Sequence, residues 1–124
     1  MIVGLGIDMA ELERISKVHA RFGRRFLEKF LSVEELATLP ADPRPSLLAG
    51  RFAAKEAAAK ALGTGFSGGI APTQMEVAHM QTGAPILVFH GAARVRAAEL
   101  GTRAVHLSIS HERSHAVAVV VLEA

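Results

Sequence analysis

SLLAGRFAAKEAAAKAL, residues 46–62, is the stretch around which this sequence organises its fold. Alanine, leucine, lysine and glutamate all favour helices, so the stretch predicts one continuous helix. Three prolines in PADPRP at 40–45 predict a loop before it, and Gly63 predicts its end. Alanine or another apolar residue occupies nearly every position around the helix. The pattern therefore indicates close packing against neighbouring elements.

Two charged residues of this helix, Glu56 and Lys60, lie one turn apart. A glutamate four residues before a lysine forms an ion pair worth about 0.2–0.5 kcal/mol on an exposed helix. That value accounts for the pair but not for its apolar setting, because a buried carboxylate without a partner costs far more than such a pair returns. A further cation should then lie close to Glu56, and the pattern alone leaves a structural pair and a catalytic pair equally open.

The other segments predict the elements that surround the helix. IVGLGI at 2–7 predicts a buried strand, and Asp8 predicts the N-cap of a helix that follows, with Glu11 at the spacing of a capping box. Gly23 bends or ends that helix. Strands are predicted at 75–80, 86–90, 104–111 and 115–123, with a short helix at 91–100 closed by Gly101. The order predicts an α+β fold, a mostly antiparallel sheet packed with helices, in a single domain over residues 1–124.

Composition narrows the class of protein. The chain has no cysteine, which excludes disulfides and thiolate metal sites. The apolar run at the N-terminus stops at Asp8 and has no basic residues before it, so neither a signal peptide nor a membrane span is predicted. A net charge of only +2 and the lack of Trp and Tyr argue against a nucleic-acid partner. We expect a cytoplasmic protein with no membrane contact.

Asp8 and Glu56 are the strongest candidates for a metal site. Mg²⁺ typically takes one or two protein carboxylates and fills its other positions with water and substrate phosphates. The alternative for Asp8 is the N-cap described above, which contributes about 1 kcal/mol. That the two carboxylates meet in space is a hypothesis that the sequence itself does not test.

Two polar segments offer further candidates. GTGFSGG at 63–69 has the composition of a phosphate-binding loop, although a helix end followed by a flexible loop is the favoured interpretation. In SISHERSH, Ser108 and Ser110 share one face of the predicted strand and His111 lies on the other, so a Ser110–His111 catalytic dyad is geometrically awkward. A polar, ligand-facing edge fits this segment better, and an exposed hairpin end remains open.

A basic stripe lies between residues 14 and 29, where the only acid is Glu28. Such a stripe is often just a solvated helix face, but it also suits docking to an acidic surface. No aromatic side chain interleaves with the arginines, so an acidic protein is preferred over single-stranded nucleic acid. The basic residues are Arg14, Lys17, Arg21, Arg24, Arg25 and Lys29.

Three blocks, GIDMAELERI at 6–15, GRFAAKEAAAKALGTG at 50–65 and HLSISHE at 106–112, resemble the holo-acyl-carrier-protein synthases, the small group of phosphopantetheinyl transferases. They occur in that family's order and spacing across nearly the whole chain, and the middle block is the most specific. The resemblance implies the 4′-phosphopantetheinyl transferase fold. It also implies Mg²⁺-dependent transfer of 4′-phosphopantetheine from coenzyme A to a serine of an acyl carrier protein, with release of adenosine 3′,5′-bisphosphate.

The resemblance also implies roles for individual residues. Asp8 and Glu56 would bind the metal, Lys60 would face the coenzyme A phosphates, and these three would form the catalytic set, with Glu56 assisting deprotonation of the serine through water. The remaining implied positions are Arg51 and His111 near the 3′-phosphate, Gly63, Gly65 and Ser110 beside the cofactor, and Arg14, Arg21 and Arg24 facing the carrier protein. Members of the family form homotrimers with cofactor clefts between subunits, and the same assembly is expected here.

Two features depart from the family, and two other functions compete. SGGIAPTQMEV at 67–77 is rich in glycine and proline where the family has a more polar loop with an aromatic residue, and Arg44 receives no firm role. A Mg²⁺-dependent phosphohydrolase could use the same carboxylates and lysine, but would leave the basic stripe without a purpose. A non-enzymatic adaptor could use the stripe alone. The sequence leaves open whether the carrier protein serves fatty-acid or polyketide synthesis.

Overall fold

The computed structural model describes all 124 residues. Its elements are β1 (Ile2–Glu11), α1 (Leu12–Phe22), α2 (Arg24–Phe30), α3 (Val33–Thr38), α4 (Pro45–Ala61), β2 (Met75–His79), β3 (Pro85–Phe89), α5 (Gly91–Glu99), β4 (Ala104–His111) and β5 (His115–Glu123), with a 3₁₀ turn at Pro72–Gln74 before β2. The predicted order of a strand, helices, two strands, a helix and two strands is confirmed. No helix is both long and apolar enough to cross a bilayer.

The strands form two antiparallel sheets. One has the order β1-β5-β4, and the other is the β2-β3 hairpin. Because β5 is central, Ala118 lies opposite Asp8 of β1 on one side and Ile109 of β4 on the other. The α+β prediction with antiparallel strands is confirmed, and the structure refines it by dividing the strands between two sheets.

Helix α4 lies across one face of the three-stranded sheet, which we term the inner face. Alanines of α4 are buried against it, and glycines of β1 allow the approach. A Cβ added to Gly6 would stand 1.9 Å from the carbonyl oxygen of Ala57, and one added to Gly4 would stand 2.2 Å from that of Ala61. Real Cβ atoms do not come so close, so only glycine allows the strand and helix backbones to touch.

The end of α4 follows the predicted glycine chemistry. Gly63 has φ of +76°, and its N–H donates to the carbonyl oxygen of Lys60 at 3.0 Å. Arg96 of α5 donates from Nε to the carbonyl oxygen of Leu62 at 3.0 Å. These two hydrogen bonds satisfy carbonyls that the last helical turn would otherwise leave unpaired.

The predicted N-cap at Asp8 is wrong. β1 stays paired with β5 until Glu11 lies opposite His115, so Asp8 is inside the strand and α1 begins only at Leu12. The side chain of Glu11 makes no capping hydrogen bond. Long-range strand pairing therefore overrides the local Asp8–Glu11 capping pattern.

The prediction that β1 is fully buried is also wrong, because α4 covers only one face of the sheet. On the opposite face, Leu5, Ile7 and Met9 are 65%, 58% and 62% exposed. In register with them on β5 are Val117, Val119 and Val121. We call these six side chains the outer apolar face.

The basic stripe is divided between two helices. Gly23, with φ of +57°, ends α1, and Arg24 begins α2. The sequence pattern suggested that Arg14, Arg21 and Arg24 lie on one helix. In the structure, Arg24 lies on α2, and Arg14 and Arg21 lie on α1. Beyond α2, Ser32 and Glu35 form a capping box at the start of α3 that the sequence analysis missed.

We predict that Gly6→Ala lowers the free energy of unfolding by at least about 3 kcal/mol, since the new methyl group meets a backbone carbonyl that cannot rotate away. Chemical denaturation measures the change. Gly50→Ala, on α4, is the matched control, because its Cβ would meet only a methyl group of the Ile109 side chain, at 3.0 Å. Equal losses in the two variants would contradict a backbone contact between β1 and α4.

Candidate active site

Asp8 and Glu56 line the same cavity, as the sequence analysis predicted. Asp8 projects from the inner face of β1, and Glu56 projects from the middle of α4. The contact between the glycines of β1 and the alanines of α4 sets the separation of these two elements. We call the space the carboxylate cavity; its lining includes Asp8, Glu11, Arg14, Phe52, Glu56 and His115.

The electrostatic environment of Glu56 disfavours its negative charge. Loss of hydration raises the pKa of Glu56 above its ordinary value, and the neighbouring Asp8 carboxylate raises it further. Lys60 opposes both effects without cancelling them. A cation placed between the two carboxylates would relieve this strain, so the cavity has the charge distribution of a cation site.

Lys60 contacts β1 and not Glu56. Its Nζ donates to Asp8 Oδ1 at 2.9 Å and to the carbonyl oxygen of Ile7 at 3.0 Å. Glu56 and Lys60 form no ion pair, so the interpretation of these two residues as a simple i,i+4 salt bridge is wrong. The side chain of Lys60 is 55% exposed. The ammonium group therefore joins helix to strand and remains accessible to a ligand.

The donor set fits Mg²⁺ better than a structural metal. No cluster of three or more His, Cys, Asp or Glu side chains is arranged to hold a metal ion. Zinc sites in proteins usually require three or four such ligands. Mg²⁺ is held by one or two carboxylates and completes its shell with water and phosphate oxygens. Asp8 and Glu56 supply that number of ligands.

A second cavity brings Arg51 and His111 together, as the resemblance implied. It also contains Arg44, to which the sequence analysis gave no role, and His79, which it missed. We call it the basic cavity; its lining includes Arg44, Ser46, Gly50, Arg51, His79 and His111. Arg51 precedes Glu56 by five residues, which is about 7.5 Å along the axis of α4. The two cavities therefore lie beside the same helix.

Ser110 does not share the basic cavity. On β4 it lies opposite Val117, which places it at the edge of the outer apolar face. His111 lies with Ile109 on the inner face. The side chains of Ser110 and His111 therefore point to opposite faces and form no hydrogen bond. The structure thus separates Ser110 from Arg51 and His111 within one chain.

Gly63 and Gly65 begin the loop that follows α4. Both have positive φ, of +76° and +58°, and the N–H of Gly65 donates to the carbonyl oxygen of Ala59 at 3.2 Å. A Cβ on Gly65 would meet nothing within 4 Å. The loop therefore starts next to Lys60 with an open surface.

The serine and histidine that meet in SISHERSH are Ser114 and His115, and not Ser110 and His111, whose pairing the sequence analysis judged geometrically awkward. Ser114 Oγ lies 2.7 Å from His115 Nδ1 and also donates to the carboxylate of Glu112. Glu112 and Ser114 lie in the exposed turn between β4 and β5, and His115 is the first residue of β5. The contacts stabilise that turn, while His115 also reaches the carboxylate cavity.

The sequence analysis missed a buried charged cluster on the other side of α4. Lys55 is 1% exposed, and its Nζ donates to Glu35 Oε1 at 2.5 Å and to the carbonyl oxygen of Pro72 at 3.1 Å. Burial lowers the pKa of Lys55, and the Glu35 carboxylate opposes that change. Arg51 Nε lies 3.9 Å from Glu35 Oε2. The Ser–x–x–Glu spacing of the capping box is the signal that could have drawn attention to Glu35.

The basic stripe is partly neutralised by its own helices. Lys17 pairs with Glu13 at 3.1 Å, and Arg24 pairs with Glu28 at 3.4 Å. Arg21 lies over the ring of Phe22, which is 47% exposed. Arg14 reaches the carboxylate cavity. The stripe therefore runs from the cavity to an exposed aromatic side chain.

Comparison with known proteins assigns the family. The model of the 4′-phosphopantetheinyl transferase superfamily matches residues 4–120, which include Asp8, Arg51, Glu56, Lys60 and His111. The chain belongs to this superfamily. The prediction of a phosphopantetheinyl transferase is therefore confirmed, and with it the prediction that the chain is an enzyme.

Individual relatives of this transferase agree over their whole length. The holo-[acyl-carrier-protein] synthase of Desulfovibrio desulfuricans is 60% identical, over 100% of this chain and 99% of its own. The crystal structure of the Neisseria meningitidis synthase is 40% identical with a TM-score of 0.89, and each chain is covered completely. The Helicobacter pylori synthase, solved in complex with coenzyme A, is 32% identical with a TM-score of 0.83, covering 96% of this chain and 99% of that one.

Proposed function

We propose that this transferase moves 4′-phosphopantetheine from coenzyme A to a serine of an apo acyl carrier protein, with Mg²⁺ required and adenosine 3′,5′-bisphosphate released. The observation that carries the proposal is the meeting of Asp8, Glu56 and Lys60 where β1 touches α4. Two carboxylates and an accessible ammonium group suit a diphosphate with its metal ion. The relatives named for this activity support the choice of substrates.

The basic cavity is proposed to bind the 3′-phosphate of coenzyme A. Arg51 and Arg44 line it together with His111. Arginine N–H groups bind phosphate oxygens with charge-assisted hydrogen bonds. Gly63 and Gly65 begin a loop with open backbone beside Lys60, where the diphosphate would lie. The proposed cofactor thus follows α4 from Arg51 to the end of the helix.

The chemistry proposed is in-line displacement at the phosphorus that carries the pantetheine arm. The serine oxygen forms the new P–O bond, and the bond to the adenosine-bearing phosphate breaks. Lys60 is placed to stabilise negative charge on the diphosphate. Glu56 is proposed to accept the serine proton through water. Mg²⁺ held by Asp8 and Glu56 would supply further positive charge to the diphosphate oxygens.

The basic stripe is proposed to dock the carrier protein. Arg14 at the carboxylate cavity, Arg21 and Arg24 form a surface that continues away from the reacting centre. An acidic partner would be attracted to it, and the exposed Phe22 offers an apolar contact beside Arg21. Docking there would bring the carrier's serine towards Asp8 and Glu56.

The outer apolar face is proposed as the contact between copies in a homotrimer. Its six apolar side chains form a continuous surface on one side of β1 and β5, and an exposed apolar patch of this kind marks an interaction site. The proposal also accounts for Ser110. Since Ser110 is separated from Arg51 within one chain, it would contribute to a cofactor site only across a subunit boundary.

A cytoplasmic location completes the proposal. The lack of cysteine is compatible with a reducing compartment. The basic stripe requires only an acidic surface on the carrier protein, whatever pathway that carrier serves.

The deciding measurement is intact mass spectrometry of an apo acyl carrier protein incubated with the transferase, coenzyme A and Mg²⁺. We expect one phosphopantetheine per carrier, abolished by EDTA, and a turnover at least about 100-fold lower for Glu56→Gln. Glu34→Gln removes an exposed carboxylate elsewhere and should retain activity. Inorganic phosphate without a modified carrier would indicate the phosphohydrolase, and a carrier bound but unmodified would indicate the adaptor.

A second prediction concerns the stripe. Arg21→Glu with Arg24→Glu should raise KM for the carrier protein about tenfold and weaken its salt dependence, because exposed charges steer encounter over a Debye length of about 10 Å. Arg14 is left in place because it lines the carboxylate cavity. Arg94→Glu with Arg103→Glu makes the same change in net charge elsewhere, and equal effects of the two pairs would remove the stripe from the interface.

A third prediction concerns assembly. Light scattering of the purified protein should give three times the chain mass of 13.1 kDa, and Ile7→Arg should give monomers because it places a charge within the outer apolar face. Val95→Arg also changes an exposed apolar residue, but on α5, and should leave the mass unchanged. A monomeric wild-type protein at micromolar concentration would contradict the trimer.

A further inference from the structure

The buried cluster behind α4 contains one carboxylate between two cations. Arg51 and Lys55 lie one turn apart on α4, and like charges at this spacing repel. Glu35 of α3 lies against both, with Oε1 accepting from Lys55 Nζ and Oε2 3.9 Å from Arg51 Nε. Two positive groups against one negative group leave a surplus of one positive charge.

Glu35 itself is held firmly. Its side chain has no exposed surface, and Oε1 also accepts a hydrogen bond from the backbone N–H of Ser32 at 3.0 Å. That contact is half of the capping box that begins α3. The carboxylate is therefore fixed by the start of one helix and by Lys55 of another, and its second oxygen is presented to Arg51.

Arg51 is held less completely. Its Nε and Nη1 are buried without a hydrogen-bond partner, as is Glu35 Oε2, whereas Nη2 is not fully buried. Arg51 also lines the basic cavity. Buried N–H groups without partners are costly, and Nη2 is the part of the guanidinium that is open to an anion in the cavity.

We propose that Glu35 is a positioning residue, which orients the Arg51 guanidinium towards the basic cavity and so favours a ligand with a phosphate there. Lys55 neutralises and anchors Glu35 but is not itself required to orient Arg51. The inference rests on the proposed binding of coenzyme A, whose 3′-phosphate is the group that Arg51 would contact. The quantity that Glu35 controls is the preference for coenzyme A over 3′-dephospho-coenzyme A.

Three variants distinguish an effect of the cluster's net charge from an effect of Glu35 on the orientation of Arg51. The two effects predict opposite changes in the preference for coenzyme A. Glu35→Gln adds one positive charge, Lys55→Met removes one, and the double variant leaves the net charge unchanged. If the cluster acted only through net charge, Lys55→Met would weaken the preference and the double variant would retain it. If Glu35 orients Arg51, the double variant loses the preference and Lys55→Met retains it.

The test measures Kd by calorimetry and KM by turnover, for both ligands, on the full chain. We expect the ratio of affinities to fall about tenfold in Glu35→Gln/Lys55→Met, the effect of losing one charge-assisted hydrogen bond. In Lys55→Met the ratio should stay within about twofold of wild type. Arg51→Ala gives the reference for complete loss, and Glu34→Gln is the matched control at the neighbouring exposed carboxylate.

Folding is checked by thermal unfolding of every variant. Should the double variant fail to fold, Glu35→Asp decides, because it keeps the charge but shortens the side chain by one methylene group; an unchanged ratio there overturns the proposal. A double variant that folds and keeps the wild-type ratio overturns it as well. If Arg51→Ala loses the preference for coenzyme A and the double variant keeps it, the role of Glu35 is rejected and the role of Arg51 is not. A wild-type protein that binds neither ligand rejects the proposed function itself.

Discussion

The contact between the glycines of β1 and the carbonyl groups of α4 is the constraint on which the rest of the molecule depends. With Gly6 against Ala57 and Gly4 against Ala61, there is no room for any side chain between strand and helix. The closeness of the two backbones lets the ammonium group of Lys60 reach both Asp8 and the carbonyl oxygen of Ile7. A larger residue at either glycine would separate the residues that the proposed chemistry needs together.

The small alanine side chains of α4 allow the helix to carry one buried charged residue, Lys55, and one accessible charged residue, Glu56. Lys55 and Glu56 are adjacent in sequence but project to different sides of the helix. Lys55 is sealed among α3 and the turn at Pro72, whereas Glu56 faces an open cavity. Small side chains elsewhere on α4 permit both, because neighbouring elements approach closely enough to enclose one charge while leaving the other accessible.

The sequence predicted correctly those elements that depend only on the residues within them. The alanine-rich helix, its end at Gly63, the alternating strand at 104–111 and the short helix at 91–99 follow from propensity and periodicity over a few residues. Asp8 was misassigned because pairing with β5, more than a hundred residues away, extends β1 past the capping pattern. The partner of Lys60 and the cluster around Glu35 depend on contacts between distant segments, which no local spacing encodes. Placing Asp8 and Glu56 in one cavity came from a family resemblance and from the preference of Mg²⁺ for carboxylates, and their catalytic roles remain predictions.

The strand order β1-β5-β4 has a consequence for how the chain is made on the ribosome. Asp8 is synthesised before the strand that pairs with β1, which is His115–Glu123. A nascent chain can form α4 and the β2-β3 hairpin while β1 still lacks its neighbour. The two halves of the carboxylate cavity therefore become fixed only after β5 has been synthesised and has entered the centre of the sheet.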